Sequence, residues 1–196
     1  MVREIGAGTL PHATFRRYFE QNILYLKDYA RALGLLLSTA PDGQAMDTLG
    51  RFLGRIVQEE IPANSRFLER LGGDPGSLDA ISEMSDVTYG YTRHLLAVAA
   101  LGDCAEGLAA VLPCQWIYGE LARPLARLLP QDPIYAEWIA MFGNDAYDRL
   151  VQDSTDLLDR LAPPDSAERM RRLSWVFDRS TDYEVQFWDY AYGRTG

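Results

Sequence analysis

Histidine is scarce in this 196-residue chain, which has only His12 and His94. Two imidazoles cannot build a His-rich metal centre, and the Glu-x-x-His pairs of a di-iron bundle are absent. Cysteine is equally scarce: Cys104 and Cys114 do not have the Cys-x-x-Cys spacing of a zinc site. No glycine loop of the Walker or Rossmann kind occurs. No metal and no nucleotide cofactor is therefore expected. Basic residues are outnumbered, with 19 Lys and Arg against 28 Asp and Glu and a net charge of −9. That balance argues against a nucleic-acid partner, which calls for a basic stripe. The clusters "RRYF" at 16–19 and "RMRRL" at 169–173 read as solvated helix faces. Long apolar runs are missing too, since "LGLLL" falls far short of a membrane span. No basic segment followed by an apolar one opens the chain as a secretory signal would. Two cysteines without framework spacing suit a reducing compartment. The expectation is a cytoplasmic protein with no membrane partner.

Period-2 strands are absent as well, and what is present is helix after helix. A chain of this length most simply forms one domain, burying roughly 70% of its unfolded surface without a metal or disulfide staple. Apolar and aromatic residues recur at Phe15, Tyr18, Phe19, Tyr25, Leu26, Tyr29 and Leu33, the 3.6-residue period of a helix over about 11–38. A second helix is expected over 43–60, with Pro62 kinking or restarting it toward Leu71. "GGDPGS" is a loop. Asp86 is expected to cap a helix to about 101, and the next runs from 104 to about 129 with Pro113 inside, bending it beside Cys114. Asp132 and Pro133 form an N-cap and first-turn pair for a helix ending at "FGN". Residues 145–161 are helical. Asp165 with Glu168 makes a capping box for the last helix, which carries Trp175, Val176, Phe187, Trp188 and Ala191. The fold class is all-α, a bundle of about seven or eight helices over residues 1–196.

Polar residues on apolar stripes carry the functional information. Glu184 lines up with Phe187, Trp188 and Ala191. A carboxylate on such a stripe is costly unless paired, and apolar surroundings raise its pKa toward the range of a proton donor and acceptor. A boundary glutamate reaching water is the alternative, and periodicity leaves both readings open. Cys114, in "LPCQWIY", shares a face with Ala110, Val111, Ile117, Tyr118 and Leu121; alone, a free cysteine is more often packing than nucleophile. Tyr91 lies with Val87, Leu95 and Val98, beside His94. Tyr18, Asn22, Tyr25 and Tyr29 form a third stripe. Each tyrosine alone suits a packed boundary position. Together the four helices would line an aromatic pocket with a thiol, a carboxylate, an amide and phenols, suited to a flat heteroaromatic ligand.

Four runs in this order and spacing resemble the TenA / thiaminase II family: "GAGTLPHATFRRYFEQNILYLKDYARAL", "LPCQWIYGELA", "DPIYAEWIAMFGNDAYDRLV" and "DYEVQFWDYAY". The resemblance covers essentially the whole chain. It implies a haem-oxygenase-like all-α bundle, commonly a homotetramer. It also implies hydrolysis of aminomethylpyrimidine to hydroxymethylpyrimidine in thiamin salvage, and possible cleavage of thiamin. By that resemblance Cys114 is the nucleophile, Glu184 the catalytic glutamate, and Tyr25, Tyr91 and Tyr118 belong to the substrate pocket.

Three departures stand out. Asn22 in "QNILY" occupies the position where the family's cysteine-containing branch has an aspartate that binds the ring nitrogen and amino group of the aminopyrimidine. Asparagine keeps the size and hydrogen bonding but not the charge. Phe142 stands where the family often has a pocket tyrosine. The family also has a further amphipathic helix before the "G-x-G-T-L-P" segment, whereas this chain starts at "MVREIG" and is expected to lack it. Two alternatives to aminopyrimidine hydrolysis follow: a related reaction on another amine-bearing heteroaromatic, or a non-catalytic ligand-binding or regulatory homologue.

Overall fold

A computed structural model of the chain describes residues 1–78, 83–162 and 166–194. Among them are nine α-helices and no strand: α1 Val2–Ala7, α2 His12–Ser38, α3 Gly43–Arg55, α4 Ile61–Arg70, α5 Asp86–Leu101, α6 Cys104–Leu125, α7 Pro133–Phe142, α8 Asp145–Leu161 and α9 Ala167–Tyr192. The count exceeds the expected seven or eight because α1 has too short a periodic stretch to show in the sequence. Its Ile5 is fully buried, and it stops at Gly8, whose φ of 67° is left-handed and favours glycine.

Caps account for most helix ends. Asp42, Asp103, Asp132 and Asn144 each accept from a backbone N–H in the first turn of α3, α6, α7 and α8. Two expected caps differ. Helix α5 is capped by Ser85, whose hydroxyl accepts from the Thr88 N–H at 3.1 Å, and Asp86 is the first helical residue. The expected capping box at Asp165 lies outside the described residues; Ser166 serves as the N-cap of α9, accepting from the Arg169 N–H. Helix α6 ends at Leu125 rather than near 129, and Leu129 beyond it takes a left-handed φ of 47° that no α-helix continues through.

A new α-helix, α4, restarts at Ile61 with Pro62 in its first turn, as expected, and the chain between α3 and α4 stays helical. Having no N–H, Pro62 leaves the carbonyl four residues back without its ladder partner. The backbone answers with a π-helical turn at Ile56–Glu60, where the Ile61 N–H reaches the carbonyl of Ile56, before α4 resumes the α-helical ladder. Helix α6 likewise continues as one α-helix through Pro113 and Pro124.

Helix α2 lies at the centre, against α3, α4, α5, α6 and α9, and α6 is further flanked by α7 and α8. Two apolar clusters result. One gathers Tyr25, Tyr29, Phe52, Tyr91, Leu108 and Val176. The other is strongly aromatic, with Phe15, Tyr18, Phe19, Tyr118, Trp138 and Phe142. Its rings meet edge-to-face and tilted, as Tyr118 does with Phe142 at 5.0 Å and Trp138 with Phe142 at 5.3 Å. Such pairs add about 0.5–1.5 kcal/mol each beyond the area they bury. Cys114 packs against both clusters. No helix among the described residues is long and apolar enough to cross a membrane.

Candidate active site

Two adjoining cavities open where α2, α5, α6 and α9 converge. The first lies among Tyr25, Tyr91, Glu184 and Phe187 and is too narrow to admit a water-sized sphere. The second has about 10 Å³ of room for water-sized spheres and is bordered by Cys114, Gln115, Glu60, Phe142 and Tyr147. Asn22 and Tyr118 border both. All seven side chains singled out from the sequence thus lie at one place. Asn22 and Tyr25 come from α2, Tyr91 from α5, Cys114 and Tyr118 from α6, Phe142 from the end of α7 and Glu184 from α9.

Glu184 does not reach water; it is 3% exposed. The Tyr91 hydroxyl donates to its Oε1 at 2.9 Å. The Cys114 thiol lies within its reach, and the Trp188 indole N–H approaches it without completing a hydrogen bond. Burial pushes the Glu184 carboxyl up to about 7, against the partial relief these donors give. The thiol of Cys114 is pushed well above its ordinary range, first by burial and then by the Glu184 charge. A preformed thiolate is therefore disfavoured. A carboxylate near half-ionised at neutral pH stands beside the thiol and can take its proton as a ligand engages.

The aromatic walls are uncharged, with Tyr25 stacked on Tyr29 and tilted against Tyr91. Tyr25 lies 4.9 Å from Tyr91 and 5.3 Å from Tyr29, ring centre to ring centre. Burial raises the hydroxyls of Tyr25, Tyr91 and Tyr118 well above the ordinary phenol value, so all three are neutral donors. The Tyr118 and Tyr18 hydroxyls share one hydrogen bond at 2.8 Å. Tyr25 Oη is buried at the wall of the first cavity and completes no hydrogen bond, although the Cys114 thiol and the Tyr91 hydroxyl approach it. Phe142 contributes only its ring. The nearby Tyr147 hydroxyl does not stand in for a missing phenol, because it donates to the Gln115 carbonyl at 3.0 Å.

Three further residues escaped the reading of the sequence. Glu60 closes the π-helical turn, is 6% exposed, and faces the second cavity. The Arg55 Nε–H donates to its Oε1 at 3.1 Å. Burial still wins and lifts the Glu60 carboxyl to about 7. A signal existed, since Leu49, Phe52, Ile56 and Glu60 follow at spacings of three, four and four, a buried stripe ending in an acid. Asn64, one turn on, holds the Asn22 amide. Gln115 is 2% exposed and neither its Oε1 nor its Nε2 has a partner. Two unpaired amide atoms beside a cavity cost free energy that a bound ligand would recover. Among the described residues no three His, Cys, Asp or Glu side chains cluster closely enough to hold a metal ion.

The chain matches the model of the TENA/THI-4/PQQC family over residues 1–194. It is 33% identical over 193 residues to the aminopyrimidine aminohydrolase of Halalkalibacterium halodurans, covering 97% of this chain and 86% of that one. Its identity to the aminopyrimidine aminohydrolase of Bacillus subtilis is 31% over 195 residues, covering 100% and 82%. Among solved structures, one described as a TenA family transcription regulator from Silicibacter sp. TM1040 superposes with a TM-score of 0.89 at 27% identity, covering 98% of this chain and 87% of that one. A Shewanella denitrificans domain described as having a heme oxygenase-like fold superposes with a TM-score of 0.75 at 14% identity, covering 97% and 82%; the likeness there is of fold alone. The all-α bundle is thus haem-oxygenase-like, and the chain belongs to the TENA/THI-4/PQQC family.

Proposed function

We propose that the protein is a hydrolase of the thiaminase II type, acting in thiamin salvage to convert aminomethylpyrimidine to hydroxymethylpyrimidine, with Cys114 as nucleophile and Glu184 as proton shuttle. The relatives named aminopyrimidine aminohydrolase support the reaction class. The observation that carries the residue assignment is a half-buried thiol, Cys114, within reach of the buried Glu184 carboxyl, which the buried Tyr91 hydroxyl holds at a cavity wall.

In this reading the proton balance closes on Glu184. The carboxylate takes the Cys114 proton as sulfur adds to the electron-poor ring. The protonated Glu184 then hands that proton to the exocyclic amine, which leaves as ammonia. Water attacks the exocyclic carbon and gives a proton back to Glu184. Sulfur is expelled and reprotonated, so thiol and carboxylate return to their starting forms. Tyr25 and Tyr91 supply stacking faces, Tyr118 and Asn22 border the ring, and Phe142 shapes the wall. The leaving group need not be ammonia: thiamin presents a thiazolium at the same carbon.

A related hydrolase acting on another amine-bearing heteroaromatic is the second reading. The observation favouring it is Asn22, which offers a neutral amide at the cavity. We further infer a cytoplasmic homo-oligomer, a tetramer by resemblance. Exposed Leu128 and Leu129, beside an apolar groove bordered by Leu125, Ala136 and Ile139, support association between copies.

Incubation of wild type and Cys114→Ala with aminomethylpyrimidine and with thiamin tests the proposal. Ammonia or thiazole released by wild type alone supports it. Equal release by both proteins, or none by either, refutes it.

A further inference from the structure

The orientation of the Asn22 amide is set by a relay. Its Nδ2 donates to Asn64 Oδ1 at 2.9 Å, and Asn64 Nδ2 donates to the backbone carbonyl of Glu60 at 2.7 Å. A backbone carbonyl only accepts. The Glu60 carbonyl therefore turns the Asn64 nitrogen toward itself and the Asn64 oxygen toward Asn22. That oxygen in turn can only accept, so the Asn22 nitrogen faces Asn64. Asn22 and Asn64 are 5% and 2% exposed, and reversing either amide would break a buried hydrogen bond. What remains on Asn22 is Oδ1, an acceptor, and the second N–H of Nδ2, a donor. The side chain borders both cavities.

We propose that Asn64 is a positioning residue that locks Asn22 as a fixed acceptor–donor pair, so that the site selects a neutral heteroaromatic edge in which an unprotonated ring nitrogen adjoins an exocyclic amino group. The amino group donates to Asn22 Oδ1 and the ring nitrogen accepts from Nδ2. A carboxylate at this position offers acceptors only and suits the protonated ring instead. The inference deepens the proposed function and rests on that reading for the choice of a pyrimidine ligand. Other titratable or charged groups face the same space: Glu60 with Arg55, Cys114 and Tyr118 from α6, Glu184 from α9, Tyr25 and Tyr29 on α2, Tyr91 from α5 and Tyr147 from α8. These groups are present in wild type and in a variant altered at residue 22 alone, so the ratio of the two affinities cancels what they contribute equally and leaves the effect of residue 22, its own charge included.

Calorimetric titration with hydroxymethylpyrimidine, stepped through the ring's own pKa in water, tests this. Wild-type affinity relative to Asn22→Asp should fall about tenfold for each pH unit below that pKa, the consequence of one proton excluded from one complex and kept in the other. Asn64→Ala should weaken wild-type binding about threefold or more above that pKa and flatten the pH dependence, with Asn22 freed to turn. A ratio independent of pH, an Asn64→Ala variant that binds as wild type at every pH, or no binding by wild type at any pH would overturn it. Asn22→Asp is nearly isosteric, so it keeps the test decisive if Asn64→Ala unfolds. Binding in the expected pattern without turnover would refute the hydrolase reading alone; turnover with a flat ratio would refute this inference alone.

Discussion

The Tyr91 hydroxyl donates to Glu184 Oε1 across 2.9 Å, joining α5 to α9 beside the Cys114 thiol. The bond favours the carboxylate form, against the burial that holds Glu184 near 7. In Tyr91→Phe the carboxylate loses that donor and its pKa rises further. The acid limb of the kcat/KM–pH profile should move to higher pH. Stability should fall by about 1.5–3 kcal/mol in denaturant titration, the usual cost of one buried hydrogen bond to a charged group. An unmoved acid limb would separate Tyr91 from proton transfer.

In the proposed mechanism Glu184 acts on Cys114 in opposite senses at rest and during turnover. At rest its negative charge raises the thiol pKa; in the proposed turnover it accepts the thiol proton. Glu184→Gln should therefore make Cys114 alkylate faster with iodoacetamide at a given pH above neutrality, while hydrolysis falls about 100-fold or more, the scale of a lost general acid–base. Alkylation and turnover falling together would show that Glu184 merely maintains the pocket.

Stability should depend on pH through both buried acids. Glu60 and Glu184 have folded pKa values raised to about 7 from an ordinary 4.5. The folded state thus binds more protons than the unfolded chain between these limits, and stability falls as pH rises through that window. Each shift corresponds to roughly 3 kcal/mol between the two ends. Urea titrations at pH 4.5 and 7.5 check this: Glu184→Gln should reduce the loss by its own share. Glu60→Gln should do so too, with some offset because Arg55 gives up a charged partner.

Gln115 has a buried amide with neither polar atom satisfied. Replacement by the similarly sized Met removes an unpaired donor and acceptor, and should leave stability unchanged or raise it by about 1–3 kcal/mol. Binding of hydroxymethylpyrimidine should weaken in the same variant. A variant that loses stability yet keeps ligand affinity would place Gln115 in the scaffold instead.

The helices were legible because their apolar stripes are long and regular, as over Phe15–Leu33, and because Asp132 and Pro133 mark a helix start unambiguously. Helix α1 was not, since six residues hold too few turns to show a period. The meeting of Cys114, Glu184, Tyr91, Tyr25 and Asn22 was foreshadowed by polar residues standing on faces meant for the core. Glu60 was hidden by its neighbours: in "VQEEIP" two adjacent acids resemble a solvated edge. The stripe through Leu49, Phe52 and Ile56 points to Glu60 rather than Glu59, and the π-helical turn before Pro62 carries that carboxylate to the second cavity. The Asn22 relay was equally out of reach, because the partner that fixes the amide is a backbone carbonyl, which no side-chain pattern reveals.

The central claim is that Cys114 and Glu184 work as one unit, and a double-mutant cycle on kcat/KM for aminomethylpyrimidine tests it most directly. The quantities are the rates of wild type, Cys114→Ala, Glu184→Gln and the double variant. Residues of one catalytic unit are strongly non-additive, so the double variant should be no slower than Cys114→Ala by more than about threefold. Losses that multiply, or a Cys114→Ala variant as active as wild type, would contradict it.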